Sequence, residues 1–156
     1  RTVQIFGEAA HRLDFGRLTV EPFVGLAYVN VTTDGFAEGG GPAALRGTKG
    51  EQGVTYATLG VSTIQKISAL GGDASARFKL GWRHAEGALA ATAQHSIGQS
   101  TSFVVSGVPL ARNSVVLDEG LEFRFLQGVT AAISYSGQFA KGRQNNGLRA
   151  DLTWRF

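Results

Sequence analysis

The chain has 156 residues with 22 Gly, 3 Pro, no Cys and no Met, and 15 Lys and Arg against 12 Asp and Glu give a net charge of +3. That charge is small and scattered, with no basic run interleaved with aromatics, which argues against nucleic acid. No window approaches the roughly 20 consecutive apolar residues of a membrane-spanning helix, and without Cys there are no disulfides to staple a small fold.

Alternation with period two recurs along the whole length, and no segment holds a helical period beyond two turns. Residues 3–12 and 18–31 alternate loosely. Residues 55–67 set Ala57, Leu59 and Val61 against Tyr56, Thr58, Gly60 and Ser62. Residues 74–84 set Ala76, Phe78, Leu80 and Trp82 against Arg77, Lys79, Gly81 and Arg83. Residues 115–125 set Val115, Leu117, Leu121, Phe123 and Phe125 against Asp118, Gly120, Glu122 and Arg124. Residues 129–139 place Val129, Ala131, Ile133, Tyr135 and Phe139 on one face. Residues 147–156 (GLRADLTWRF) put Leu148, Ala150, Leu152, Trp154 and Phe156 on one face and Arg149, Asp151, Thr153 and Arg155 on the other. That makes seven expected strands.

The connections come in two lengths. Residues 14–16, 68–73 and 126–128 are short, residues 32–53 and 85–114 are long, polar and Gly-rich, and residues 140–146 are intermediate. Gly39-Gly40-Gly41-Pro42 cannot continue a strand and marks a loop tip. Short and long connections alternate, as in outer-membrane barrels with short periplasmic turns and longer extracellular loops. The fold class expected is all-β, an antiparallel up-and-down transmembrane β-barrel. Its lipid-facing set would be Leu80, Trp82, Leu121, Phe123, Phe125, Ile133, Tyr135, Leu148, Ala150, Leu152 and Trp154, with aromatics at the interface. The balanced hydropathy of half-polar strands fits that class.

Seven strands are a warning, because single-chain bacterial barrels close with an even number. Open edges in hydrocarbon cost several kcal/mol per unsatisfied backbone group. Either a strand hides within residues 88–105 or upstream strands are absent, and the second is expected, since Arg1 begins almost inside a strand. The chain would then close only with upstream strands, with another copy of itself, or with the edge of another barrel.

Several segments carry a family likeness. They are VEPFVGLAYV (20–29), DGFAEGGG (34–41), ATLGVS (57–62), LGWRHAEG (80–87), FVVSGVPLARNSVVLDEGLEF (103–123), ISYSGQF (133–139) and the terminal LTWRF. Together they resemble the C-terminal translocator, or β-domain, of autotransporters, the type V secretion proteins of Gram-negative bacteria. The resemblance implies a twelve-stranded barrel in the outer membrane of a Gram-negative bacterium, with a lumen helix that tethers an exported N-terminal passenger. Residues 1–156 would be its C-terminal portion, about seven strands of twelve, with the passenger and first strands absent. The implied partners are outer-membrane lipid, the barrel-assembly machinery and the passenger segment in the lumen. No cofactor and no nucleic acid are implied.

Three groups of residues are candidate sites. The facing assignment makes Glu8, Arg12, Glu21, Arg77, Lys79, Arg83, Asp118, Glu122, Arg124, Arg149, Asp151 and Arg155 lumen-facing. Seven are basic and five acidic, so the passage would be hydrated and of mixed sign; a polar lumen is also simply what a barrel of this size has. By the resemblance, Leu152, Trp154 and Phe156 form an assembly signal, read by addition of the last strand to an exposed edge; a plain aromatic anchor is the simpler reading. Inward aromatics such as Phe23 or Tyr56 are expected to cover backbone at strand glycines, among them Gly25, Gly60, Gly81, Gly120 and Gly137.

Catalysis finds little support. His11, His84 and His95 lack metal-ligand spacing, no Gly-x-Ser-x-Gly elbow is present and Tyr135-Ser136-Gly137 lies in a strand. Asp118, Glu119 and Glu122 do not share a face. Glu119 points toward the apolar side between Leu117 and Leu121, where a charge is costly, unless a bulge turns it inward or it sits at headgroup height. Two rival functions remain: a stand-alone barrel acting as adhesin or surface receptor through its long loops, and an outer-membrane enzyme.

Overall fold

A computed structural model of the chain describes residues 1–41, 43–69, 72–98, 101–125 and 128–155. Among these the chain is all strand and no helix: β1 (Thr2–Ala10), β2 (Leu13–Phe15), β3 (Leu18–Thr33), β4 (Phe36–Ala37), β5 (Leu45–Gly47), β6 (Gly50–Ala69), β7 (Gly72–Gly87), β8 (Thr92–Ile97), β9 (Phe103–Ser106), β10 (Asn113–Arg124), β11 (Val129–Ala140) and β12 (Arg143–Trp154). The main sheet runs β1-β3-β6-β7-β10-β11-β12, with β2 added against β3. Each long strand pairs with its neighbour along this path, so the seven strands read from the sequence are its backbone. Among the described residues neither β1 nor β12 has a second partner in this order, and the sheet is not closed.

The period-two pattern explains the pairing. Aligned residues of neighbouring strands share a face, so a strand is accepted only in a register that keeps apolar with apolar. One row reads Ala76, Leu121, Ile133 and Ala150 across β7, β10, β11 and β12. The next row along, on the opposite face, reads Arg77, Gly120, Ser134 and Arg149. The hairpins are tight. β11 and β12 pair to Ala140↔Arg143, with Gly142 at φ 70° supplying the left-handed residue at the tip. Residues 140–146 are therefore mostly strand and not a loop of intermediate length. At the first hairpin Phe15↔Leu18 is the last pair, and the turn falls at Gly16 and Arg17, not across residues 14–16. The turns expected at 68–73 and 126–128 lie partly outside the described residues.

Two compact units divide the chain. One comprises Arg1–Gly7, Leu26–Tyr56 and Ala85–Arg112, the other Glu8–Gly25, Ala57–His84 and Asn113–Phe156. The first contains a feature the sequence reading lacked: the long connections build a second antiparallel sheet, β4-β5-β8-β9. A strand does lie within residues 88–105, but it joins this small sheet and leaves the main sheet at seven long strands. Gly47↔His95 and His95↔Phe103 place Phe36, Gly47, His95 and Phe103 on one face. The weak alternation of two- to six-residue strands hid this sheet among Gly and polar residues.

Burial is sparse in both units. Val54 and Ala85 are buried in the first; Phe23, Ala74, Val116, Thr19 and Ser114 in the second. In contrast Leu80, Trp82, Leu121, Phe125, Ile133, Leu148, Leu152 and Trp154 are each 40–76% exposed. A water-soluble sheet would hide such a contiguous apolar face.

Candidate functional site

The charged face of the main sheet is built by register. Lys79, Asp118, Ser136 and Gly147 form one row, and Ser75, Glu122, Ala132 and Asp151 another. Arg83 stands opposite Ser114, and Arg124 opposite Asp73 and Thr130. Side chains of alternate residues share a face, which puts Arg77, Lys79, Arg83, Asp118, Glu122, Arg124, Arg149 and Asp151 on one side.

Several of these charges meet. Lys79 Nζ donates to Glu8 Oε2 at 2.9 Å and sits 4.0 Å from the centroid of the Phe23 ring. A cation over an aromatic face gains about 0.5–1 kcal/mol where exposed. Phe23 itself is only 4% exposed, because its ring lies over Gly60. A Cβ on Gly60 would meet Phe23 Cε1 and Cζ at 2.7 Å, and the Leu80 carbonyl oxygen as well. The expected covering of strand glycine by an inward aromatic is thus seen at Phe23 and Gly60. Gly137 is crowded in a different way, by Phe139 and Tyr135 of its own strand, and Gly120 by nothing closer than 3.8 Å.

At the hairpin of β2 and β3, Arg12 Nε donates to both oxygens of Asp14, at 3.1 and 3.0 Å, and Thr19 Oγ1 donates to Asp14 Oδ1 at 2.6 Å. Glu21 lies 3.9 Å from the Arg12 guanidinium. The hydrogen bond from Arg12, then that from Thr19, hold the Asp14 carboxyl below its ordinary value. Further pairs are Arg124–Glu122 at 2.7 Å and Arg149–Asp151 at 2.8 Å. Asp14 and Thr19 were absent from the sequence reading; the i, i+2 spacing of Arg12 and Asp14 on one strand face is the signal that could have found them. Arg83 Nε approaches Thr58 Oγ1 at 3.4 Å, and Arg155 contributes its backbone N–H to Gly128 O at 3.0 Å.

On the opposite face the pairing of β10 with β7 and β11 is unbroken from Val115 to Arg124, with Glu119 opposite Phe78 and Tyr135. No bulge turns Glu119 inward. It stands on the apolar face, exposed, between Leu117 and Leu121. Tyr135 donates its hydroxyl to Asn146 at 2.9 Å. Trp154 and Leu152, two of the assembly-signal residues, are 70% and 76% exposed, and Phe156 lies outside the described residues.

The histidines do not gather. His84 Nδ1 meets Asn113 Oδ1 at 2.8 Å, while His95 sits between Phe36 and Phe103, with ring centroids at 6.0 and 5.9 Å. Among the described residues no group of His, Asp and Glu could hold a metal ion. Asp118, Glu119 and Glu122 are divided between two faces by the register.

The sequence model of the family described as "Autotransporter beta-domain" matches residues 1–136. Two proteins of Serratia marcescens, each named "Extracellular serine protease", align with the whole chain, one 35% identical over 163 aligned positions and the other 32% over 157. In both cases the chain spans 15% of the relative's length. No solved structure gives a significant match. The chain belongs to the autotransporter β-domain family. The fold is the all-β, antiparallel β-domain of that family, a family of transmembrane barrels.

Proposed function

We propose that residues 1–156 are the membrane-inserted end of an autotransporter, which anchors in the outer membrane and exports or displays the chain joined to it. One observation carries this reading. The main sheet has a continuous apolar face that is exposed, a charged face opposite, and, among the described residues, two edge strands with one neighbour each. In water such a sheet would aggregate. In a bilayer the apolar face meets lipid, and the edges are satisfied once further strands complete the ring.

In this setting Glu8, Arg12, Glu21, Arg77, Lys79, Arg83, Asp118, Glu122, Arg124, Arg149, Asp151 and Arg155 line a wet passage. Paired charges keep its wall ordered without a single-sign field that would trap a passing chain. Leu152 and Trp154 lie near the end of β12, and with Phe156 they form the signal that the assembly machinery reads, by adding a strand of alternating apolar side chains to an exposed edge. The protease named in the relatives belongs to the 85% of their length outside the match, and this chain supplies the export device and not the active site. The ordered loop sheet β4-β5-β8-β9 favours a second, additional role, presentation of a surface for binding outside the cell.

The test uses the full-length protein in intact cells. External protease should remove the passenger when the β-domain is present, and deletion of residues 1–156 should leave the passenger inaccessible and periplasmic. A passenger equally exposed without the β-domain overturns the proposal.

A further inference from the structure

In the second unit, a cavity of about 540 Å³ opens where the charged face reaches the hairpin ends of the strands. Small-molecule sites run to about 300–1,000 Å³. Five cationic side chains line it, those of Arg12, Arg17, Lys66, Arg77 and Arg124, against two carboxylates, Asp73 and Glu122. Two of the cations are already committed, Arg12 to Asp14 and Arg124 to Glu122. Arg17 and Arg77 have no ion pair or side-chain hydrogen bond among the described residues, and Lys66 has only a longer-range attraction to Asp14.

The positions are fixed by backbone. Arg17 follows Gly16 at the hairpin tip, and its carbonyl accepts the Lys66 N–H at 2.8 Å, which seats these two residues side by side. Arg77 is held in β7 by its pairing with Gly120 of β10, which presents no side chain on that face. Ser68 and Ser75 add hydroxyl donors to the same wall. A wall that needed charge only to stay wet would neutralise its cations locally, as the strands do at Lys79–Glu8 and Arg149–Asp151. Here three cations converge on one cavity with a single uncommitted carboxylate, Asp73.

We propose that this cavity binds a compact, multiply charged phosphate oxyanion, held by Arg17, Lys66 and Arg77. Two planar guanidinium forks and one ammonium match the several terminal oxygens of such a group, which outnumber the two of a peptide carboxylate. The source of the phosphate is either a soluble phosphate compound or a lipid whose headgroup ends in a phosphomonoester, since the hairpin end is where a membrane surface would lie. The site goes beyond the export reading and does not depend on it.

The test is calorimetric titration of pyrophosphate into the full-length protein, purified in zwitterionic detergent at low salt. Saturable binding of one pyrophosphate per chain is expected. Arg17→Gln and Arg77→Gln should each weaken it at least about tenfold, while Arg149→Gln, which removes an equal charge from a paired site elsewhere, should leave it unchanged. Lys66→Gln serves where either arginine variant fails to show heat-modifiable, folded barrel. Phosphatidic acid in mixed micelles displaces the probe if a lipid headgroup is the natural source and does not if it is a soluble anion; phosphatidylcholine is the control. No saturable binding, or equal losses in all variants including Arg149→Gln, overturns the proposal. Normal export by an anion-blind variant would leave the export reading intact, and failed export with normal binding would sink only that reading.

Discussion

At the scale of single residues, charge placement separates two kinds of carboxylate. Asp14 is surrounded by Arg12 and Thr19, so its ionised form is stabilised where it stands. Glu119 has Phe78 and Tyr135 as cross-strand neighbours and leucines two residues to either side. In a bilayer its desolvation is uncompensated, and a charged residue on the lipid face near mid-height costs up to about 2–4 kcal/mol for Lys or Arg and less for Glu. Glu119→Leu should therefore raise the stability of the inserted full-length protein by up to about 2 kcal/mol, measured by urea titration in lipid vesicles. An unchanged midpoint would put Glu119 at headgroup height. The alternation alone had placed Glu119 on the apolar side, and the unbroken register removes the bulge that would have moved it.

At the scale of elements, what could be read in advance was whatever repeats with period two over eight or more residues. The seven long strands and their facing pattern follow from residues such as Leu80, Trp82, Leu121 and Ile133, whose alternation has only one register that keeps them together. The ends of strands were less legible, because Gln144, Asn145 and Asn146 read as a loop yet pair with Phe139, Gln138 and Gly137; backbone pairing continues past the last apolar residue once a hairpin tip such as Gly142 fixes the register. The small sheet was invisible, since a strand as short as Phe36–Ala37 carries no period at all. The facing of the charges was legible, but their partners were not. Lys79 and Glu8 lie 71 residues apart, and only the order of strands in the sheet brings them together. Export of a passenger predicts which elements lie outside the cell. A single Cys at Gly39, in the long connection between β3 and β6, should be labelled on intact cells by an impermeant thiol reagent, and one at Ser68, at the end of β6, should be labelled only after the outer membrane is breached. Labelling of Ser68→Cys alone would invert the topology and remove the basis for outward export.

At the scale of the whole molecule, the main sheet is a wall with two raw ends. Residues 1–156 expressed by themselves behind a secretion signal should reach the outer membrane fraction poorly and give little heat-modifiable, protease-resistant barrel, whereas the full-length protein should give both. Abundant folded barrel from the excised chain would show that seven strands can seal unaided. Chain direction bears on how they are completed. Along the path from β1 to β12 every step reverses the strand, so after six reversals the first and last strands point the same way across the membrane. Bonding them to each other would create a parallel seam, with slanted hydrogen bonds and a slightly weaker pairing per residue. Bringing in a second copy does not help, since two copies inserted with the same orientation meet β12 to β1 in parallel, and two like edges meet antiparallel only if one copy is upside down. Under the export reading proposed above, an odd number of strands from elsewhere in the same polypeptide would restore antiparallel pairing at both seams, and strand polarity then sets the parity of whatever keystone completes the ring.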